Sequence, residues 1–335
     1  MKVVQNECRQ YYRLSLHGTE SACCLIVMIK PQLVSIAIPT YNHGAFIEAC
    51  LASVCAQTYP ELELILIDDG SQDDTFEIAQ RFLEPHRQRF RRVVLERQEN
   101  QGVSANSNAC IQACQGEWVH LLGSDDVLHP NKVERLQQSI EEWNCPGLAL
   151  VHADCNYIGE DGRIITRAKQ KSRPDPGPDT QAYRWLFLGE HYIFNPTIAL
   201  RREIFIAIGG FDRTLPLEDL DCWLRLAVHH AIARVPEVLA SYRKHPGNSS
   251  RRRLKMLAAH FNTYAKFLIQ HPGLISDEAI GKHFRRNVWR FWRRIRKQKP
   301  WLLPRVVVSI MKSRWQTPEA EDYAHFGTTL DKASA

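Results

Sequence analysis

The chain has 335 residues, a formal net charge of +6, 44% hydrophobic and 24% charged residues, a composition ordinary for a globular protein and long enough for one large domain with an appendage. No uncharged apolar run reaches about 18 residues, which argues against a spanning helix. The longest early apolar run, residues 22 to 29, is too short to span and lacks the small-residue cleavage pattern of a secretory signal, so the chain reads as cytoplasmic.

Residues 1 to 32 lack periodicity and read as a tail, with Met28 a candidate true start. The first clear element is the apolar run from Leu33 to Ile38, which ends in Pro39, Thr40, Tyr41 and Asn42. Helical spacing of Phe46, Ile47, Cys50, Leu51 and Val54 predicts a helix over 45–57, closed before Pro60. A second apolar run, Leu64 to Ile67, delivers Asp68, Asp69, Gly70 and Ser71. Both runs are short and rich in Ile and Leu, as expected of parallel strands covered on both faces. Ligands of such sheets gather beyond the strand carboxyl ends, so the two polar clusters should share one edge.

Asp73 or Asp74 caps a helix over 75–82, and Val93 to Leu95 reads as a third strand. A helix over 104–115 precedes a strand, Trp118 to Leu122, that brings Gly123, Ser124, Asp125 and Asp126 to the same edge. A helix over 131–143 and a strand from Leu148 to Val151, continuing to Asp154, complete the alternation of a doubly wound sheet. Residues 169 to 180, with prolines at 174, 176 and 178, read as a mobile loop at the acceptor entrance. Leu220, Trp223, Leu224 and Ala227 are spaced as a helix whose first turn holds Glu218, Asp219 and Asp221. Between Lys282 and Lys299 stand nine Lys or Arg and no acid, so the remainder carries about −3, which is 6 minus 9. There Phe284, Val288, Phe291, Trp292 and Ile295 share one helical face, predicting an amphipathic helix that either seeks an anionic membrane or packs on the domain. Pro300 to Met311 adds a second apolar element. The basic stretch has no nucleic-acid recognition motif beside it. The ten cysteines form no C-x-x-C pair and read as buried small hydrophobes, Cys110 and Cys114 included.

Seven segments in order resemble the inverting glycosyltransferases of family 2: Ser35 to Asn42, Ile67 to Thr75, Asn100 to Ser104, Gly116 to Asp126, Gly209 to Asp212, Glu218 to Arg225 and Tyr242 to Asn248. The resemblance spans 33–250 and implies a GT-A fold, an α/β mixed doubly wound sheet flanked by helices, with 251–335 as a basic α-helical extension. It also implies a UDP- or dTDP-sugar donor, a divalent metal (Mn2+ or Mg2+), a glycan or lipid-linked acceptor and a setting in cell-surface polysaccharide assembly.

A donor of that kind presents a base, a ribose and a diphosphate. Asp69, with Asp68 beside it, can accept from a base N–H or a ribose hydroxyl, and in the resembled family the matching second Asp does so. The plainer reading makes Asp-Asp-Gly-Ser a strand-ending turn. Pro39, Thr40 and Tyr41 join the donor-contacting set. Phosphates and aspartates repel unless a cation lies between them, and hard cations take carboxylate and phosphate oxygens. Asp125 and Asp126 stand at that edge. Adjacent side chains of an extended segment point oppositely, so one reaches the metal, and Asp126 is taken as the ligand. His245 completes the metal shell in relatives, and Arg243 and Lys244 beside it are candidates to face the diphosphate. Two departures stand out: Gly123 and Ser124 precede the pair, where the family often has an Asp two residues before the last as D-x-D, and Ser107 stands where relatives often carry Arg. A cation from residues 167 to 171 is the candidate replacement.

Inversion needs a base for the acceptor hydroxyl. Asp219 is the candidate, matching the family's base, with Asp221 as fallback. Two other functions are kept in view. A sugar-1-phosphate nucleotidyltransferase would need a Gly-rich basic loop that Pro39 to Gly44 lacks. A degenerate, non-catalytic glycan- or membrane-binding member would explain Gly123 and Ser107.

Overall fold

The structure, a computed structural model, describes residues 31–167, 174–215, 218–248, 253–298 and 318–334. The suggested start at Met28, most of the 167–171 segment and the apolar element at 300–311 lie outside the described residues.

Every residue of β1 (Val34–Thr40) except Pro39 is buried, and β2 (Leu62–Asp68) is buried throughout, as two-sided coverage of a parallel pair demands. Between them α1 (Ile47–Cys55) packs Ile47, Cys50, Leu51 and Val54 onto one face of the sheet. The alternation continues through α2 (Thr75–Leu83), β3 (Arg92–Arg97), α3 (Val103–Ala113) and β4 (Trp118–Leu121). A short β5 (Val127–Leu128) precedes α4 (Lys132–Trp143) and the long β6 (Leu148–Ile158). Then follow β7 (Ile164–Arg167), β8 (Gly177–Asp179), α5 (Tyr183–Leu188), β9 (Ala199–Arg201), α6 (Arg202–Ala207), α7 (Glu218–His229) and β10 (Ala231–Arg243).

The sheet order is β3-β2-β1-β4-β9-β6-β10-β5, with β7 on β6 and β8 on β10. The β3-β2-β1-β4 half is parallel, while β9 runs antiparallel to both β4 and β6. Two reversals through β9 restore direction, and β10 pairs parallel with β6. The carboxyl ends of β1, β2, β4, β6 and β10 therefore open on one edge. Part of the expected entrance loop is a strand: Gly177, Pro178 and Asp179 pair with Arg234, Ala233 and Ile232 at the margin, where proline's missing N–H is tolerated.

The helices α8 (Arg253–Gln270), α9 (Asp277–Gln298) and a last helix, Ala320–Ser334, form a layer against α5 and α7. They share a hydrophobic core with the sheet half, running from Ala37 and Val119 through Phe187 and Trp223 to Phe261, Phe284 and Phe326. Phe284 and Val288 of the amphipathic helix thus pack inward, whereas Trp289 is 57% exposed and stacks on Trp292 at 5.0 Å. No helix among the described residues is long and apolar enough to cross a membrane. Cys50, Cys110, Cys114, Cys155 and Cys222 are free and buried, as small hydrophobes should be.

Candidate active site

The open edge is tied together strand by strand. After β1 the chain turns through Asn42, whose φ of 53° is left-handed. That turn is held by Asn42 N donating to Ser71 Oγ (2.8 Å), Gln72 N donating to Asn42 Oδ1 (2.8 Å) and His43 N donating to Thr75 Oγ1 (2.8 Å). Asp73, not Asp74, supplies the cap of α2, accepting from Thr75 N at 3.1 Å and from Gly44 N at 3.0 Å.

Asp68, expected beside Asp69 at the donor, is bonded within the turn that follows β2. It is fully buried, accepts from Ser71 N (3.0 Å) and from the Ser71 hydroxyl, and pairs with Arg97 at 3.3 Å. It braces the turn. Asp69 is also buried, and accepts from Gln98 Nε2 (2.8 Å), Gln101 N (2.9 Å) and Gly102 N (2.8 Å). An ionised carboxylate offers about four acceptor positions, so about one remains, on Oδ2. Beside it Thr40 is buried and its Oγ1 has no hydrogen-bond partner, an unusual state for a buried hydroxyl. Pro39 is half-buried at the end of β1, and Tyr41 is 41% exposed.

The Asp125–Asp126 pair divides in the opposite sense from that expected. Asp126 is buried, and its Oδ1 accepts from Arg243 N of β10 at 2.8 Å. Burial first, and then the Asp125 charge, push its carboxyl well above the usual range. Asp125 faces the other way: its Oδ2 meets His245 Nε2 at 3.0 Å and Asn248 Nδ2 at 3.2 Å. The structure thus brings Asp125, not Asp126, to His245. A third residue, His43, joins them, and one ligand atom from each of His43, Asp125 and His245 lies within 4.8 Å of the other two. Burial lowers the His43 pKa, with Asp125 opposing, so the ring is a neutral donor near pH 7. Arg243 does not face the edge: its guanidinium donates to Asp125 O, Gly159 O and Glu160 O. Lys244 is exposed, with Nζ 3.4 Å from the Tyr157 ring centroid.

Asp219 opens α7 and is buried. Its Oδ2 accepts from Tyr192 Oη at 3.0 Å and its Oδ1 from Leu220 N at 2.7 Å. Burial raises its pKa, while the Leu220 amide and the Tyr192 hydroxyl draw it back. Glu218 is pushed up to about 8 by burial and by the Asp219 charge, so it holds its proton at neutral pH. The fallback Asp221 is already paired, with Arg225 Nε at 2.7 Å and Lys266 Nζ at 2.8 Å. From Asp219 an aromatic shelf leads back to the sheet edge: Tyr192 to Phe194 (4.9 Å), Phe194 to Tyr242 (6.0 Å), with Tyr157 edge-on to both of the latter.

His43 and Tyr192 were missed by sequence reasoning. His43 stood inside a quoted motif, but its partners lie 82 and 202 positions on; Tyr192 had no motif around it.

The family model described as glycosyl transferase family 2 matches residues 35–209. Chondroitin synthase of Escherichia coli is 28% identical over 261 residues, 76% of this chain and 34% of that protein, so the chain spans about a third of its length. Among solved structures, residues 1–349 of S. aureus TarS in complex with UDP-GlcNAc give a TM-score of 0.65 at 18% identity, covering 90% of this chain and 91% of that one. The mannosyltransferase PcManGT from Pyrobaculum calidifontis, in complex with GDP-Man and Mn2+, gives 0.56 at 19% identity over 91% and 86% of the two chains. The fold is that of these GT-A proteins, a mixed sheet flanked by helices.

Proposed function

The chain belongs to glycosyl transferase family 2 and is a glycosyltransferase, and from that premise we propose that it moves a sugar with inversion from a UDP- or dTDP-linked donor to a hydroxyl of a glycan or lipid-linked acceptor. The observation that carries this reading is the pairing of two sites across one aromatic shelf. At the sheet edge stand the Asp125–His245–His43 group, the unpartnered Thr40 hydroxyl and the last acceptor position of Asp69. At the far end stands the buried carboxyl of Asp219.

One carboxylate oxygen and two imidazole nitrogens converging at that edge fit a divalent ion, and Asp125 and His245 would hold it. Such an ion, Mn2+ or Mg2+, supplies positive charge against the diphosphate. The chain's own groups do the rest. Thr40 and Asp69 take up the base and ribose, and Tyr192 and Phe194 present an apolar face on which a pyranose ring can lie. Asp219 takes the proton of the acceptor hydroxyl. The acceptor oxygen bonds to the anomeric carbon as the bond to the diphosphate breaks, and a nucleoside diphosphate leaves.

The exposed Trp289, stacked on Trp292 and followed by Arg290, Arg293 and Arg296, supports docking beside an anionic leaflet, each cation contributing about 1 kcal/mol. That placement suits a lipid-linked acceptor and assembly of a surface polysaccharide on the cytoplasmic side.

The test is calorimetric binding of UDP and dTDP with and without Mn2+, for the wild type and Asp125→Ala. Metal-dependent binding lost in the variant is expected. Absence of binding by either nucleotide under every condition would favour a non-catalytic member.

A further inference from the structure

We infer that His43 is a third protein ligand of the metal site, and that two imidazoles with one carboxylate make this site prefer a borderline transition ion over Mg2+. The inference rests on the metal reading just given and deepens it from the presence of an ion to its chemical class.

The geometry around His43 is built rather than incidental. Its backbone is fixed by the bond from His43 N to Thr75 Oγ1 (2.8 Å) and by the Asn42 turn. Its Nδ1 lies 2.7 Å from Ser124 Oγ, the residue next to Asp125. Histidines that bind metals commonly engage the second ring nitrogen in a hydrogen bond, and the Ser124 hydroxyl, able to donate or accept, offers Nδ1 such a partner. The His43 and His245 rings stand edge to face with centroids 5.6 Å apart. Asp125 Oδ2 and His245 Nε2 are 3.0 Å apart. Two ligands of one ion, each at about 2.1 Å and roughly at right angles, keep that spacing.

A Cβ on Gly123 would come within 2.9 Å of Asp125 Oδ1 and 3.2 Å of Asp126 Oδ2, so a side chain there would shift both carboxylates. On the other side, Gly247 lies against the His245 ring, where a Cβ would approach Cε1 and Nδ1 to 3.1 Å. The group is a His-His-Asp set, to which Gly123 adds no carboxylate. Mg2+ favours oxygen ligands and gives up water reluctantly, whereas imidazole suits the later first-row ions. Affinity should rise from Mg2+ through Mn2+ to Co2+ and Zn2+.

The experiment is a titration of the full-length, metal-stripped protein with Co2+ alone, followed by its visible absorption, and then competition by Mg2+, Mn2+ and Zn2+. Expected is Co2+ binding that Mn2+ and Zn2+ displace and that Mg2+ displaces only at concentrations at least about tenfold higher than Mn2+ needs. His43→Ala and the size-conserving His43→Gln should each weaken Co2+ binding by about tenfold or more and change the spectrum, with thermal unfolding recorded to confirm that the variants fold. Displacement by Mg2+ at the same concentration as Mn2+ would overturn the preference, and this arm needs no variant. Wild-type Co2+ affinity and spectrum in both variants would remove His43 from the site. Failure of the functional reading looks different: neither UDP nor dTDP would bind, whatever the metal titration shows.

Discussion

At the sheet edge and at the start of α7, adjacent acids are divided by different partners. At the sheet edge Ser71 and Arg97 hold Asp68, Gln98 and the amides of Gln101 and Gly102 hold Asp69, and Arg243 N holds Asp126, while Asp125 meets His245. At the start of α7 side-chain cations decide: Arg225 and Lys266 take Asp221 and leave Asp219 to Tyr192. A strand-ending turn has free amides within reach of a short acid. A helix projects its acids sideways, and Asp221 is neutralised by Arg225 one turn on in α7 and by Lys266 from another helix. Lys266 comes from α8 and also pairs with Asp212 at 2.8 Å, holding that carboxyl down at about 2. The sheet-edge acids are thus held largely by the sheet and its loops, whereas the acids of α7 depend in part on Lys266, from a helix beyond residue 250.

The comparison is sharpened most by Asp219→Asn. Removing a general base costs on the order of 100- to 10,000-fold, so kcat should fall by that much while UDP binding in calorimetry stays unchanged. Asp221→Asn tests the other member: it should retain most turnover and instead lose about 1.5–3 kcal/mol of stability in urea unfolding, the worth of a hydrogen bond to a charged group. Equal loss of turnover in both variants would break the division of labour. At the sheet edge, Asp125→Ala should weaken Mn2+-dependent UDP binding by roughly 10- to 100-fold at unchanged melting temperature. Asp126→Ala should do the reverse, lowering the melting temperature by leaving Arg243 N unpartnered in the interior, a cost of about 1–3 kcal/mol.

The strands that frame the site were legible because apolar runs ending in polar loops mark buried parallel strands, and β1, β2 and β4 appear where those runs are. The late elements were less so: β9 has three residues, and β8 contains proline. The edge was readable, yet which acid of each pair faces it was not. Alternation along an extended chain says that Asp125 and Asp126 diverge; only Arg243, over a hundred residues away, says which turns inward. The same limit applies to His43, whose neighbours are set by the parallel stacking of β1 and β4 and by the end of β10. Asp219 was legible from its place in an acid-rich helix start, but Lys266 and Tyr192, which distinguish it from Asp221, come from other elements.

The smallest expected effect concerns pH. The Tyr192 hydroxyl donates to the carboxylate form of Asp219, and a bond to the charged form lowers an acid's pKa. Burial works against it and keeps that pKa above the ordinary value for aspartate. A base must be ionised to accept the acceptor's proton, so kcat/KM should rise with pH through this raised pKa and level off above it. In Tyr192→Phe the stabilising bond is gone and burial remains, so the acidic limb should move to higher pH. The loss of rate should then be largest on the acid side and nearly vanish on the plateau. If Tyr192 served only to pack beside Phe194, the variant would leave the rate and its pH profile unchanged, because phenylalanine keeps the ring and the edge-to-face contact. A profile displaced along the pH axis therefore separates a residue that tunes the base from one that only fills space beside it.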